Sequence, residues 1–270
     1  MPEPLLPLIA DAAAPLALQM LQNALVSPNT DLLSAAADLW QRIVQATPAD
    51  HPERAARLSN LGAALQTRSK RTGRPQDLDT AIGHFRNAVA TTPADHPDHP
   101  ATLTNLGAAL LARFERTGAL EDLDTAITVG QQAVATTPAD HPNHTTMLTN
   151  LGVALLARFE RTGALEDLDT AITVGQQAVA TTPADHPDHT TMLTNLGAAL
   201  QTRSERTGRP QDLDTAIGHF RNAVATTPAD HPERAGRLSN LGAALQTRSE
   251  RTGRPQDLDT AIGHFRNAVA

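Results

Sequence analysis

The sequence repeats itself with a fixed period, and this period limits the fold more than any other feature. The tripeptide Asn-Leu-Gly returns every 45 residues, and the segments around it return with it. The motifs TPADHP, RTG and DLDTAI each occur five times in the same register. A period of this length is typical of chains that stack one supersecondary unit on the next. The sequence therefore predicts a solenoid of repeated units.

Helix A is the first of two helix-forming segments in each unit. In the first full unit it runs from about Pro52 to Thr72, with Leu58, Leu61 and Leu65 at the spacing of one helix face. Proline is tolerated in a first helical turn because its missing N–H would have no partner there. Gly73 follows at the position where a helix C-terminus favours a left-handed residue. The pattern predicts a half-buried helix that ends at this glycine.

Helix B begins near Pro75 or Gln76 and ends near Ala90. Pro93 prevents its continuation and favours an extended Thr92. The apolar face of helix B consists of Leu78, Ala81, Ile82, Phe85, Ala88 and Val89. Because about two residues join helices A and B, the two must pack antiparallel as a hairpin. One hairpin leaves apolar surface uncovered, so the hairpins must stack.

The stacked array comprises six hairpins. Residues 51–270 hold five units, and residues 1–50 hold a divergent hairpin that caps the array. The five units are 51–95, 96–140, 141–185, 186–230 and 231–270. A shift of 45 residues places Leu16 on the buried face of helix A and Trp40 under Phe85. We therefore predict one continuous all-α solenoid behind a capping hairpin.

Composition supports helices and narrows the range of partners. Apolar residues make up 40% of the chain but aromatic residues only 2%. Small aliphatic side chains must therefore fill the core, which suits helix packing better than β-sheets. The net charge of −7 and the lack of basic runs interleaved with aromatic residues argue against a nucleic-acid partner.

Cysteine content and hydropathy indicate in which cellular compartment the protein is expected. The chain has no cysteine, which excludes disulfides, thiolate catalysis and cysteine-based zinc sites. The apolar N-terminus contains prolines and acidic residues but no basic segment, so it does not read as a signal peptide. No apolar run approaches the roughly 20 residues that span a bilayer. We expect a cytoplasmic protein without a membrane partner.

Both helices of the unit resemble the tetratricopeptide repeat superfamily. The matching residues of the first full unit are Leu61, Gly62 and Leu65 in helix A and Ala81, Phe85, Ala88 and Pro93 around helix B. The usual unit has about 34 residues, so helix A is longer in this chain. The long unit and its Asp-His-Pro loop look like kinesin-light-chain-type repeats and the arrays found beside CHAT protease-like domains in actinobacteria and fungi.

The resemblance implies a right-handed superhelix whose helices A line a concave groove. In several members, asparagines of helix A form a ladder that hydrogen-bonds the backbone of an extended peptide, work that suits an amide with both a donor and an acceptor. The equivalent residues are Asn60, Asn105, Asn150, Asn195 and Asn240. Alternatively, these amides bond a neighbouring helix or a loop carbonyl. The Ser, Thr, Ala and Val residues beside them include no basic side chain, so an acidic C-terminal tail is not expected as a ligand.

Histidines in the joint between units suggest a metal site at first sight. The stretch DHPDH places His96 and His99 three residues apart, and two further units keep this spacing. Zinc needs three or four ligands, and the other two units have Arg54 and Arg234 at the second position. We therefore predict a structural helix start, with the aspartate satisfying free N–H groups, and neither a metal nor a cofactor. Collective protonation near pH 6 is the alternative.

Arginines and aspartates surround the hairpin turn in every unit. Arg68 and Arg71 precede the turn, and Asp77 and Asp79 follow it. We expect them to form exposed salt bridges that each contribute little. The two carboxylates diverge by about 200° on a helix, which is unsuited to an acid–base pair. No nucleophile elbow, phosphate-binding loop or metalloprotease motif occurs, so the sequence predicts no enzyme.

The units fall into two types that place phenylalanine differently. The first, fourth and fifth units carry QTRS and GHFRN, whereas the second and third carry LARF and TVGQQ. We interpret the exchange as two packing solutions. Specificity would come from the helix A positions that vary with type, which are Gln66 or Leu111, Thr67 or Ala112, and Ser69 or Phe114.

The sequence predicts a non-catalytic scaffold that binds a peptide or partner protein in the groove. One alternative is the sensor arm of a bacterial signalling or conflict system with a separate effector. Another is a self-assembling structural protein, because helix B of the last unit, which stops at Ala270, has an uncovered face. That face would otherwise belong to a fragment of a longer chain or meet a partner.

Overall fold

Helices alone make up the computed structural model, which describes residues 5–269. Within that range there are twelve helices and no strand. They are α1 (Leu6–Val26), α2 (Thr30–Ala46), α3 (Arg54–Thr72), α4 (Pro75–Thr91), α5 (His99–Thr117), α6 (Leu120–Thr136), α7 (His144–Thr162), α8 (Leu165–Thr181), α9 (His189–Thr207), α10 (Pro210–Thr226), α11 (Arg234–Thr252) and α12 (Pro255–Val269). Odd-numbered helices from α3 on are helices A and even-numbered ones are helices B. The all-α repeat architecture is confirmed.

Glycine and proline set the hairpin boundaries as predicted. Gly73 has φ 73°, and its N–H donates to the carbonyl of Ser69 at 2.8 Å, which closes α3. The same left-handed glycine ends every later helix A. Thr92 is extended, with φ −95° and ψ 118°, and its hydroxyl donates to the carbonyl of Ala88 at 2.7 Å. Local sequence therefore fixes where each helix stops.

The chain forms two compact units, one up to Pro138 and one from Ala139 on. In each unit, hairpins stack so that helix B packs between its own helix A and the next one. The core of the first unit includes Leu61 and Phe85, and that of the second includes Leu196 and Phe220. One continuous solenoid domain over residues 51–270 stays a prediction.

In the first hairpin, the predicted alignment of α1 with the later helices A is wrong by one residue. Trp40 is buried like Phe85, as expected, but Leu16 is 66% exposed and Ala17 is fully buried in its place. The connection from α1 to α2 spans three residues and lacks the left-handed glycine of the later turns. Because the turn sets the rotation of one helix against the other, a fixed 45-residue shift does not carry over to α1.

Helices A approach each other directly from repeat to repeat. This holds for α1, α3 and α5 in the first unit and for α9 and α11 in the second. No two successive helices B of the described chain come into comparable contact. Within each unit, the helices A therefore line the more tightly packed side.

Candidate functional site

The five asparagines occupy equivalent half-exposed positions, one on each helix A. They are Asn60, Asn105, Asn150, Asn195 and Asn240. Each sits in a helix interior, where asparagine has a lower helix propensity than alanine. None of the five amides forms a hydrogen bond to any part of the chain that the structure describes. The alternative of a bond to a neighbouring helix or loop carbonyl is therefore not what the structure shows.

Two of these asparagines face a cleft between α9 and α11. Its volume is about 350 Å³. The lining residues are Thr191, Thr194 and Asn195 of α9, Pro232 and Glu233 before α11, and Gly236, Arg237 and Asn240 of α11. Most of these side chains are polar, so the cleft suits a polar or charged group of a ligand.

Arg237 is the residue of this cleft that the sequence analysis missed. It is 8% exposed, and its guanidinium donates to the hydroxyl of Thr227 and to the carboxylate of Glu233. The expectation of no basic side chain concerned only the residues directly before and three after each asparagine, and Arg237 lies three residues before Asn240. A signal was present, because the equivalent residues in three other repeats are uncharged, namely Thr102, Met147 and Met192.

A smaller, mostly apolar cleft lies on the same side of the third and fourth repeats. Its lining includes Gly152 and Val153 of α7, Gly175 of α8 and Asn195 of α9. Asn195 thus borders an apolar surface on one side and the polar cleft on the other. The apolar cleft has a volume of only about 30 Å³, so the polar cleft is the one with room for a ligand group.

The histidines of the Asp-His-Pro motif start the helices, as predicted, but by another contact. The ring Nδ1 of His96 accepts the N–H of Asp98 at 3.1 Å, and the other four units repeat this bond. The side chain of Asp95, the aspartate of the motif, makes no hydrogen bond within the described chain, and Asp98 at the start of α5 makes no capping bond either. The imidazole, and not the aspartate, therefore satisfies a free N–H at the helix start.

The second histidine of the second full unit and the arginines that replace it elsewhere reach equivalent carbonyls, whereas Nδ1 of His144 and of His189 is buried without a hydrogen-bond partner. Nδ1 of the buried His99 lies 3.0 Å from the carbonyl oxygen of Thr92. Arg54 and Arg234 donate to the equivalent carbonyls of Thr47 and Thr227. No group of three or more metal-ligating side chains occurs among residues 5–269. The contacts of His99, Arg54 and Arg234 each join the end of one hairpin to the first helix of the next.

The first arginine of each turn links two repeats. Arg113 donates to Asp122 of its own hairpin at 2.7 Å and to Asp79 of the preceding one at 3.2 Å. Asp122 is only 5% exposed, and these bonds raise the pKa of Arg113. Equivalent bridges join Arg203 to Asp212 and Asp169, and Arg248 to Asp257 and Asp214. The predicted salt bridges exist, but one carboxylate of each is buried, so removal of the arginine would leave a buried charge and cost more than the loss of an exposed pair.

The second arginine of the turn reaches the end of the preceding odd-numbered helix. Arg71 donates to the carbonyls of Ala24 and Ser27 at 2.9 and 2.6 Å. Arg251 donates to the hydroxyl of Ser204 at 2.8 Å. The last carbonyls of a helix lack partners within it and favour positive charge. Both arginines therefore join consecutive repeats within a unit.

Comparison with known proteins places this fold. The structure defines the chain as an α-helical hairpin-repeat protein. A tetratricopeptide repeat profile matches residues 101–143 and 145–188. Residues 101–143 and 145–188 are therefore tetratricopeptide repeats, and the same helical hairpin recurs in the other described repeats. No curated protein sequence matches it.

Solved structures share the fold at low sequence identity. A putative kinesin light chain with nearly identical TPR-like repeats, from Podosopora anserina, is 20% identical, with 80% of this chain and 96% of that chain covered and a TM-score of 0.56. BtubC from P. vanneervenii is 16% identical over 88% and 87%, with a TM-score of 0.61. Pseudomonas aeruginosa pilF is 14% identical over 94% and 88%, also with 0.61. In the described part of this chain, no helix is both long and apolar enough to cross a membrane.

Proposed function

We propose that this chain is a non-enzymatic scaffold that binds an extended peptide segment of a partner protein along its helices A. The observation that carries the proposal is the set of five half-exposed amides without internal hydrogen bonds. An extended peptide has unpaired backbone N–H and C=O groups, and an asparagine side chain can bond both. Each repeat supplies one such amide, so a ligand that runs along several helices A meets one in each repeat.

Contrast with the other polar positions supports this assignment. The threonines and arginines between the repeats bond carbonyls or carboxylates of the chain, and these bonds account for their recurrence. The asparagines have no such structural partner, although they lower helix propensity. Their cost to the helix is offset only when a ligand occupies the groove.

A matched pair of variants tests the proposal. The first is the triple variant Asn105→Ala, Asn150→Ala and Asn195→Ala on helices A. The second is Asn87→Ala, Asn222→Ala and Asn267→Ala on exposed helix B positions. Each replacement raises helix propensity by up to about 0.7 kcal/mol, so neither variant should unfold. Binding of a random peptide library displayed on beads is compared with that of the unaltered chain.

The expected result is a loss of at least about tenfold in affinity for selected peptides in the helix A variant alone, which corresponds to about 1.4 kcal/mol. Equal binding by both variants would show that the amides do not contact the ligand. Absence of selected peptides with the unaltered chain would reject the peptide-binding function itself. Circular dichroism confirms that the variants remain helical.

Self-association is a second candidate, favoured by apolar exposure on α12. Leu258 and Ile262 are 44% and 40% exposed, whereas the equivalent Leu213 and Ile217 are buried between α9 and α11. Such a face receives a helix A in the other repeats. Light scattering across concentrations tests the idea, with Ile262→Glu as the variant expected to abolish any dimer. A monomer at all concentrations contradicts it.

A further inference from the structure

Two repeats carry a buried arginine at the same position of helix A, and the first shows what that arginine binds. Arg57 of α3 is 5% exposed. Its guanidinium donates to the hydroxyl of Thr47 at 2.8 Å and to the carboxylate of Asp11 in the preceding helix α1. His51 also approaches Asp11, at 3.2 Å. The hydrogen bond from Arg57 lowers the pKa of Asp11, so the carboxylate is charged at neutral pH.

Arg237 of α11 repeats half of this arrangement. It makes the same bond to the hydroxyl of a threonine, Thr227. The preceding helix A, α9, contributes Thr191 and Thr194 to the cleft beside it, and no carboxylate. The free end of the guanidinium turns back to Glu233 on the rim of the cleft, whose side chain is 61% exposed. Glu53, the equivalent of Glu233, makes no such pair with Arg57, which Asp11 already occupies.

We infer that the cleft between α9 and α11 binds a carboxylate of the ligand, supplied by an aspartate or glutamate side chain of the peptide. The inference rests on the proposed peptide-binding function and names the chemistry of one ligand position. Arg237 would release Glu233 and bind the ligand carboxylate instead. Arg57 likewise pairs with Asp11 and not with Glu53. Because the side chain of Glu233 is 61% exposed, its carboxylate can leave Arg237 for solvent when a ligand carboxylate takes its place.

The rest of the cleft fits this occupant. The amides of Asn195 and Asn240 have free N–H donors, and the hydroxyl of Thr191 makes no bond within the described chain. Together with Arg237 they offer donors to both carboxylate oxygens, an arrangement that gives strong charge-assisted hydrogen bonds. Gly236 leaves its side of the cleft open, because a Cβ there would meet nothing within 4 Å. The volume of about 350 Å³ exceeds that of one acidic side chain.

The first test measures whether the cleft between α9 and α11 stabilises a carboxylate, and it uses no ligand. Thr191→Asp places a carboxylate in the cleft, which Thr191 lines. Arg237→Met removes the guanidinium and introduces the residue that stands at the equivalent Met147 and Met192. An aspartate in the first turn of α9 also favours the helix dipole. The informative quantity is therefore the difference between the change in Tm that Thr191→Asp causes with Arg237 and the change it causes with Arg237→Met.

We expect Thr191→Asp to raise the Tm by about 2 °C more in the presence of Arg237 than with Arg237→Met. Thr191→Asn, of the same shape but neutral, should show no such dependence. An equal rise of the Tm with and without Arg237 would overturn the inference. This outcome does not involve peptides, so it is independent of the proposed function.

The second test uses bead-displayed random peptides, one library with amidated and one with free C-termini. The unaltered chain should enrich aspartate or glutamate at one position of amidated peptides. Arg237→Met and Thr191→Asp should each reduce that enrichment at least about fivefold and leave the other positions unchanged. Acidic enrichment that persists in both variants would refute the site.

The other possible results of the peptide selection also decide for or against the inference. Enrichment only with free C-termini would reassign the cleft to a terminal carboxylate and overturn the side-chain assignment. Selection of peptides without acidic preference would contradict the inference and leave the peptide-binding function standing. Failure to select any peptide would reject the proposed function, and the stability test alone would then decide whether the cleft prefers a carboxylate.

Discussion

The two repeat types build the same hairpin with different cores. Helix A has 19 residues and helix B has 17 in both the first full unit and the second. In the first type the aromatic ring lies on helix B, as in Phe220, and in the second type it lies on helix A, as in Phe159. Both rings are buried. The comparison shows that shared caps and arginine bridges set the backbone, whereas the core filling is exchangeable.

The difference is sharpest at the glycine of helix A. A Cβ built on Gly197 would lie 2.7 Å from the ring of Phe220, whereas one on Gly152 would lie 3.4 Å from Val174. The first type therefore needs a glycine beneath its phenylalanine. In the second type the ring of Phe159 lies near the turn, where Arg206 approaches its centroid to 5.8 Å. One glycine is a packing requirement and the other is not.

The largest effect is expected from removal of the buried ring. Phe220→Ala should lower the free energy of unfolding by about 3–5 kcal/mol, because a buried ring leaves a cavity. Phe159→Ala should cost a similar amount if the two packing solutions are equivalent. Urea denaturation followed by circular dichroism measures both. A cost below about 1 kcal/mol for either variant would show that only one type has a firm core.

The arginine bridge should matter equally in both types. Arg203→Met and Arg113→Met each leave a buried aspartate without its charged partner, which should cost about 2–3 kcal/mol. Asp212 and Asp122 are the carboxylates concerned, 9% and 5% exposed. The same urea titrations compare the two variants. Unequal costs would contradict the view that the bridges form a common frame.

Replacement of the helix A glycine by alanine should change the free energy of unfolding in opposite directions in the two repeat types. Gly197→Ala should destabilise the chain by about 1–2 kcal/mol, because overpacking outweighs the gain in helix propensity. Gly152→Ala should instead be neutral or stabilise it by up to about 1 kcal/mol. Thermal unfolding of the two single variants gives the answer. Destabilisation of similar size in both would disprove the packing difference.

The smallest effect is a pH dependence confined to the first type. Burial lowers the pKa of His84 and of His219 from the ordinary value of 6.5. The unfolded chain therefore binds more protons below about pH 6.5, and stability falls as the pH drops through that window. The double variant His84→Val and His219→Val should show a weaker fall, since Val129 and Val174 occupy these positions in the second type.

The control for this prediction is the same Tm comparison at pH 7.5, where both histidines are neutral in the folded and unfolded states. There the two chains should differ by a constant packing contribution only. Parallel Tm curves between pH 5 and 7.5 would show that these two histidines do not cause the acid sensitivity.

Local sequence predicted the hairpins well, because local residues determine them. Helix A was expected from about Pro52 to Thr72 and is observed as Arg54–Thr72, since the left-handed glycine and the proline act within a few residues. The positions of the groove asparagines followed from the period alone. Whether those asparagines contact a ligand stays a prediction.

Contacts between repeats could not be read from the sequence. That His99 and Arg54 serve the same purpose depends on a carbonyl seven residues earlier in a neighbouring helix. Burial of Arg237 beside an open cleft depends on how α9 and α11 approach each other. The rotation of α1 depends on a turn without a periodic counterpart. Each of these features requires three-dimensional packing that no single repeat encodes.

The arginine bridge has a consequence for the evolution of the gene. Each such arginine bonds an aspartate nine residues ahead and another 34 residues behind, as Arg203 bonds Asp212 and Asp169. Every 45-residue unit supplies both partners, so duplication or deletion of a whole unit leaves the charges matched. The fourth unit, which begins like the third and changes type after Leu200, is the product expected from unequal crossing-over. Relatives of this chain should therefore differ in repeat number more readily than in repeat length.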